Sequence, residues 1–70
     1  MKYYDILWNK NSVEPLEDEQ VLVMINGGSN FYFVLFYHKD EHRFYHDGKP
    51  SFFISEINEW IYTKQLRHLL

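Results

Sequence analysis

Three histidines spaced four residues apart, His38, His42 and His46, are the side chains whose type best suits a metal ion. On a helix they would share one face and could bind zinc. The aromatic pairs around them are typical of strands, so His38 and His42 would instead meet near a turn, with Glu41 or Asp47 close by. A site of two histidines and a carboxylate is one interpretation, and solvent-facing histidines on a sheet are the other. We predict no metal site, because cysteine ligands and zinc-like spacing are lacking.

Catalytic chemistry finds little support in the sequence. Nucleophilic catalysis needs an activated Ser or Cys with a base and an oxyanion hole. The chain has no cysteine, and its serines stand in turn or cap contexts at Ser12, Ser29, Ser51 and Ser55. Glu56 and Glu59 could pair for acid–base work, but a chain of 70 residues leaves little room for the desolvating cleft that such work requires. We therefore expect no enzyme, no catalytic residues and no cofactor.

Composition narrows the possible partners. Seven Lys and Arg against ten Asp and Glu leave a net charge of −3, whereas a protein that binds the phosphate backbone is usually basic. Aromatic residues make up 20% of the chain, which supplies volume that so short a chain would otherwise lack. The absence of cysteine fits a reducing compartment, and no signal-like or membrane-spanning run is seen. We expect a single cytoplasmic domain over residues 1–70, without membrane contact.

Two apolar runs joined by a glycine-rich turn predict a β-hairpin. Residues 21–25 are apolar and rich in β-branched side chains, residues 26–30 tolerate positive φ, and residues 31–37 are all apolar or aromatic. Neither run alternates with polar residues, which is typical of strands buried on both faces. A further strand is predicted at residues 42–46, and another apolar segment begins at residue 52. The expected fold is mainly β or α+β, with a small antiparallel sheet of three to five strands.

The segment after residue 54 has two interpretations. Ser55 could cap a helix that runs to about Leu69, with Glu56 near its start and basic side chains near its end, as the helix dipole favours. Alternatively, residues 57–62 form a strand. We predict the strand around Trp60 and keep a C-terminal helix as the alternative.

Several aromatic, proline and valine positions stand in a characteristic order. They are Trp8, Pro15 within an acidic segment, Val21-Leu22-Val23, Tyr37, Phe44-Tyr45, Ile57 and Trp60. This order resembles a family of small phage and prophage domains of unknown function, with a Trp, a Pro-containing acidic loop, a Val-Leu-Val strand and a late strand with Trp. The proline usual after that last strand is absent here, where residues 63–70 follow. The resemblance implies a phage or prophage origin and assigns no activity and no functional residue.

A sheet that is apolar on both faces needs two covers. Residues 3–8 and the C-terminal stretch could cover one face, while residues 14–19 carry four acids and predict a solvated loop. We therefore expect a homodimer or a complex with another protein, and a function as a small protein-interaction module. A nucleic-acid- or ligand-binding domain that uses the same aromatic rings is the alternative. The predicted partner-binding residues are Phe31, Phe33, Tyr37, Glu17 and Asp18.

Overall fold

The computed structural model describes residues 7–66, which form one antiparallel sheet and a short helix. The strands are β1 (Asn9–Lys10), β2 (Gln20–Asn26), β3 (Asn30–His38), β4 (Arg43–His46), β5 (Lys49–Phe53) and β6 (Glu59–Tyr62), followed by helix α1 (Thr63–Leu66). Their order in the sheet is β1-β6-β2-β3-β4-β5. The mainly β fold class is confirmed. The sheet has one strand more than expected, because two residues at the edge pair with β6.

The central hairpin of β2 and β3 forms as its apolar runs predict. Val21 pairs with Leu35 and Val23 with Phe33, and the register continues to the turn. Gly28 has a φ of 92°, a conformation that glycine adopts without steric cost. The second hairpin, β4 and β5, turns at Asp47-Gly48, where both residues have positive φ, as the sequence of that turn favours.

The C-terminal segment contains both of the predicted elements in sequence. A 3-10 turn at Ile54–Glu56 occupies the position where a helix cap was considered, and strand β6 then pairs with β2. Helix α1 begins directly after this strand. The strand around Trp60 is therefore confirmed, and the helix is limited to one turn within the described residues. In the part of the chain from 7 to 66, no helix is long and apolar enough to cross a membrane.

One face of the sheet, here called the core face, carries the hydrophobic core. The core cluster on this face consists of Val21, Val23, Leu35, Tyr37, Phe44, Ile57 and Trp60. Ile61, which pairs with Leu22 and therefore lies on the opposite face, is also buried. Residues 11–19, here called the covering loop, lie over this face and are held to it by hydrogen bonds. Pro15 within the loop is buried. The acidic residues of the loop are largely exposed to solvent, as predicted. The loop nevertheless covers the core face, a role that was predicted for residues 3–8 and the C-terminal stretch. Residues 3–6 of the predicted N-terminal cover lie outside the described residues.

Hydrogen bonds from three aromatic side chains fix the covering loop. The indole Nε1 of Trp60 donates to the carbonyl of Val13 at 2.8 Å. The hydroxyl of Tyr37 donates to Glu14 at 2.7 Å, and the hydroxyl of Tyr62 accepts the N–H of Leu16 at 2.9 Å. Each ring thus packs its apolar body against the sheet and uses its polar tip to hold the loop, which is the favoured environment for buried Tyr and Trp.

Replacing Trp60 with Phe should weaken this attachment. Trp60→Phe leaves the Val13 carbonyl without its donor and reduces the buried volume, so we expect a loss of about 1–3 kcal/mol in the free energy of unfolding. Urea denaturation followed by far-UV circular dichroism measures it. Trp8→Phe is the matched control, because Trp8 is only half-buried and its replacement should change stability by no more than about 0.5 kcal/mol. Equal losses in the two variants would contradict this assignment.

Candidate protein-binding face

The other face of the sheet, here called the outer face, exposes apolar side chains from β3 and β5, with β4 between these two strands. Residues that pair directly across antiparallel strands share a face, so Tyr32, Val34 and Phe36 in β3 join Phe53 in β5 on this side. Their exposed fractions are 53%, 46%, 41% and 42%. Half-buried Leu22 and Met24 of β2 and the half-buried ring of Trp8, whose centroid lies 6.2 Å from that of Tyr32, extend the surface toward β1.

The cations on the outer face are already engaged by neighbouring groups. The Arg43 guanidinium lies 4.1 Å from the centre of the Phe53 ring and donates to the carbonyl of Ser51 at 3.2 Å. Lys10 pairs with Glu59 at 3.2 Å. The Nε of Arg43 is buried and has no hydrogen-bond partner within residues 7–66. The face therefore offers apolar area with little free positive charge.

On the core-face side, two side chains meet one carboxylate oxygen. The Tyr37 hydroxyl donates to Oε1 of Glu14, and Nδ1 of His42 lies 2.7 Å from the same oxygen. The hydrogen bond from Tyr37, followed by that from His42, holds the pKa of Glu14 below its ordinary value. Burial, followed by the contact with Glu14, raises the pKa of Tyr37 well above its ordinary value. The cluster anchors the covering loop above the core.

The three histidines do not converge. His38 lies 3.8 Å from Glu17, His42 lies 2.7 Å from Glu14, and His46 lies 3.9 Å from Asp47. Each nitrogen therefore faces a different carboxylate. Among residues 7–66, no three His, Cys, Asp or Glu side chains are arranged to hold a metal ion. The possible pairing of His38 and His42 around one ion is not seen, because the 3-10 turn at Lys39–Glu41 and the left-handed conformation of His42 direct their rings to different acids.

The predicted partner-binding residues lie in different surroundings. Phe31 and Phe33 are exposed at 50% and 39% and share one end of the core face, where the ring of Phe33 lies 5.3 Å from that of Phe52. Tyr37 is fully buried. Its inclusion in an accessible binding surface is therefore corrected, because its ring is part of the core and its hydroxyl binds the covering loop.

The two predicted acids lie near the opposite end of β3. The carboxylate of Glu17 accepts a hydrogen bond from the backbone N–H of Lys39 at 2.6 Å. Asp18 adopts a φ of 61°, and its backbone N–H donates to the carbonyl of Tyr37 at 2.8 Å. Phe31 is six positions away from Tyr37, or about 20 Å along an extended strand. The acids and the exposed phenylalanines therefore do not form one continuous site.

The outer-face residues are not among the partner-binding residues that the sequence predicts. The apolar character of alternate positions 32, 34 and 36 did signal a second apolar face, so a signal existed for β3. No sequence pattern indicates that Phe53 lies on the outer face, because the direction of its side chain depends on a β-bulge between β4 and β5. One residue of β4 lies between Arg43 and Tyr45, whereas two residues of β5 lie between their partners Phe53 and Pro50. Comparison with known proteins adds no assignment, since the chain matches no protein-family model, no curated protein and no solved structure.

Removing the charge of Glu14 should change how stability depends on pH. The lowered pKa means that the ionised carboxylate stabilises the fold above about pH 4.5, and this contribution is lost as the pH falls through the lowered pKa. Glu14→Gln should therefore be less stable than the wild type at neutral pH, with a difference that shrinks below about pH 4.5. Urea titrations across this pH range measure it.

The matched control is Asp40→Asn, which neutralises an exposed carboxylate in the neighbouring turn. Its stability should follow the wild-type pH profile more closely than that of Glu14→Gln does. A Glu14→Gln profile parallel to that of the wild type at every pH would contradict the role of this carboxylate.

Proposed function

We propose that this chain is a small protein-interaction module whose outer face binds an apolar surface of another protein. The supporting observation is the set of four exposed apolar side chains, Tyr32, Val34, Phe36 and Phe53, on strands of one sheet. Tyr32, Val34 and Phe36 follow one another on this face of β3, and contiguous apolar patches are uncommon on monomeric proteins unless they bind something. Aromatic residues are enriched at protein interfaces, where they bury much area with few rotatable bonds.

The chemistry of the face defines the kind of partner that suits it. Rings at its centre need an apolar counterpart, and the flexible side chain of Met24 can adjust to an irregular surface. The hydroxyls of Tyr32 and Tyr45 supply polar atoms, although that of Tyr45 already donates to Glu41 at 2.8 Å. A weakly charged apolar patch or the apolar side of an amphipathic helix fits these properties. A phage or prophage origin, with a partner from phage or host, remains a proposal that depends on the resemblance.

Self-association is part of the same proposal. The covering loop lies on the core face, and the described chain leaves the outer face and one end of β3 exposed. A second copy is the partner that is always present, and two-fold pairs are the commonest assemblies of soluble proteins.

Substitution of two outer-face rings should abolish capture of a protein partner. Phe36→Ser combined with Phe53→Ser removes apolar area without altering the core, so proteins retained by the immobilised wild type from a lysate of the source organism should be lost. Val13→Ser combined with Leu16→Ser is the matched control, because both residues are exposed and hold the covering loop through backbone atoms. Circular dichroism checks folding. Retention of the same proteins by both double variants would remove the outer face from the proposal.

Binding of nucleic acid through the exposed rings is the alternative, and we expect it to fail. Arg43 and Lys10 are engaged within the chain, and the net charge is −3. A labelled single-stranded oligonucleotide titrated at about 20 mM salt should show no saturable change in anisotropy, since backbone electrostatics supply most non-specific affinity. Saturable binding that weakens with salt and is lost in Tyr32→Ala would favour the alternative instead.

A further inference from the structure

One half of strand β3 lacks a neighbour on the β4 side. Strand β3 runs over Asn30–His38, and β2 pairs with it along residues 30–36. Strand β4 pairs only with Phe36, Tyr37 and His38. Residues 30–34, here called the free edge, therefore extend beyond the hairpin of β4 and β5. Within the described chain no strand pairs with this side of the segment.

The direction of the backbone groups on the free edge follows from the bonds of Tyr37. The N–H of Tyr37 donates to the carbonyl of Glu19, the residue that precedes β2, so residue 37 directs its backbone groups toward β2. Because these directions alternate along a strand of an antiparallel sheet, positions 31, 33 and 35 also bond toward β2. The N–H and C=O groups of Asn30, Tyr32 and Val34 consequently point outward from the free edge.

The side chains of the free edge lack the features that usually protect such a segment. Exposed edges commonly carry charged residues or proline that prevent pairing with another strand. Residues 30–34 are Asn, Phe, Tyr, Phe and Val, and all five are exposed. A cleft of about 520 Å³ lies beside them, lined by Tyr32, Phe33, Val34, Leu35, His46, Ser51 and Phe52. The segment thus combines unpaired backbone groups, apolar side chains on both faces and an adjoining space.

We propose that the free edge of a second copy of this chain pairs antiparallel with this one and joins the two sheets. This inference rests on the self-association part of the proposed function and identifies its surface. In the proposed register, Tyr32 lies opposite Tyr32 of the second copy, Asn30 opposite its Val34 and Phe31 opposite its Phe33. Three pairs then exchange about six backbone hydrogen bonds.

The length of the free edge selects this register. With Tyr32 on the two-fold axis, five unpaired residues of one copy meet the five unpaired residues of the other. If the axis instead passed through Phe33, residue 30 of each copy would meet Phe36, whose backbone already bonds to β4. A second copy therefore supplies a strand of matching length whose own backbone groups are also unpaired, which an unrelated strand need not do.

The proposed pairing would bring the aromatic side chains at this end of the sheet into contact with those of the second copy. On the core-face side, Phe31 of the second copy would lie against Phe33 and near Phe52, in the adjoining cleft. On the other side, the two Tyr32 rings would meet across the axis. Five residues per copy bury less than the roughly 800 Å² per partner of a standard stable interface. We therefore expect a dimer whose population depends on protein concentration.

The experiment compares the solution masses of the wild type and two variants at position 34. Sedimentation velocity over a range of concentrations should show the wild type rising from its 8.6 kDa monomer toward twice that mass. Val34→Pro removes an outward N–H and should remain monomeric throughout. Val34→Thr keeps the N–H and nearly the same shape, so it should associate like the wild type. The outer-face variant Phe36→Ser with Phe53→Ser should also associate, which separates this surface from the partner-binding face.

Amide hydrogen exchange on the wild type provides a measurement that needs no substitution. The amide protons of Tyr32 and Val34 should become more protected as concentration increases, while solvent-exposed loop amides stay unchanged. A wild type that is monomeric at all concentrations would overturn self-association altogether. Equal dimerisation of Val34→Pro and the wild type, without concentration-dependent protection of Tyr32 and Val34, would overturn the edge pairing and leave self-association through another surface.

Discussion

The rest of the structure depends on the attachment of the covering loop to the core face. Trp60, Tyr37 and Tyr62 each contribute a large apolar ring to the sheet and one polar atom to the loop. These bonds satisfy polar groups of the rings and of the loop, so that burial of the rings is not opposed by unpaired donors and acceptors. A chain this short gains little stability from its core, and such dual use of aromatic residues gives it a closed core without a disulfide.

Use of residues 11–19 as the cover has a consequence for the opposite side. The loop closes the core face, while the outer face of the described chain keeps Tyr32, Val34, Phe36 and Phe53 in contact with solvent. Acidic side chains are concentrated on the loop, and the cations near the outer face are held by Phe53 and Glu59. The molecule therefore has one side closed by an acidic loop and one side with apolar area suited to binding.

The outer face and the free edge present different chemistry, so the two proposed interactions are compatible with each other. The outer face offers side chains, which stand perpendicular to the sheet and gain free energy from burial of apolar area. The free edge offers backbone N–H and C=O groups, which lie in the plane of the sheet and need an extended strand. A second copy joined at the edge would extend the sheet and place two outer faces side by side, and a partner could then contact both.

Much of the local structure was determined by the sequence alone. The apolar runs around residues 26–30 specify the central hairpin, Asp47-Gly48 specifies the second turn, and the pattern near Trp60 indicates a strand, because each depends on neighbouring residues. Only the tertiary structure decided that residues 11–19 cover the core, that Tyr37 is buried and that β3 extends beyond β4. These features depend on which distant segments meet and on the lengths over which strands pair, and a pattern of adjacent residues does not contain that information.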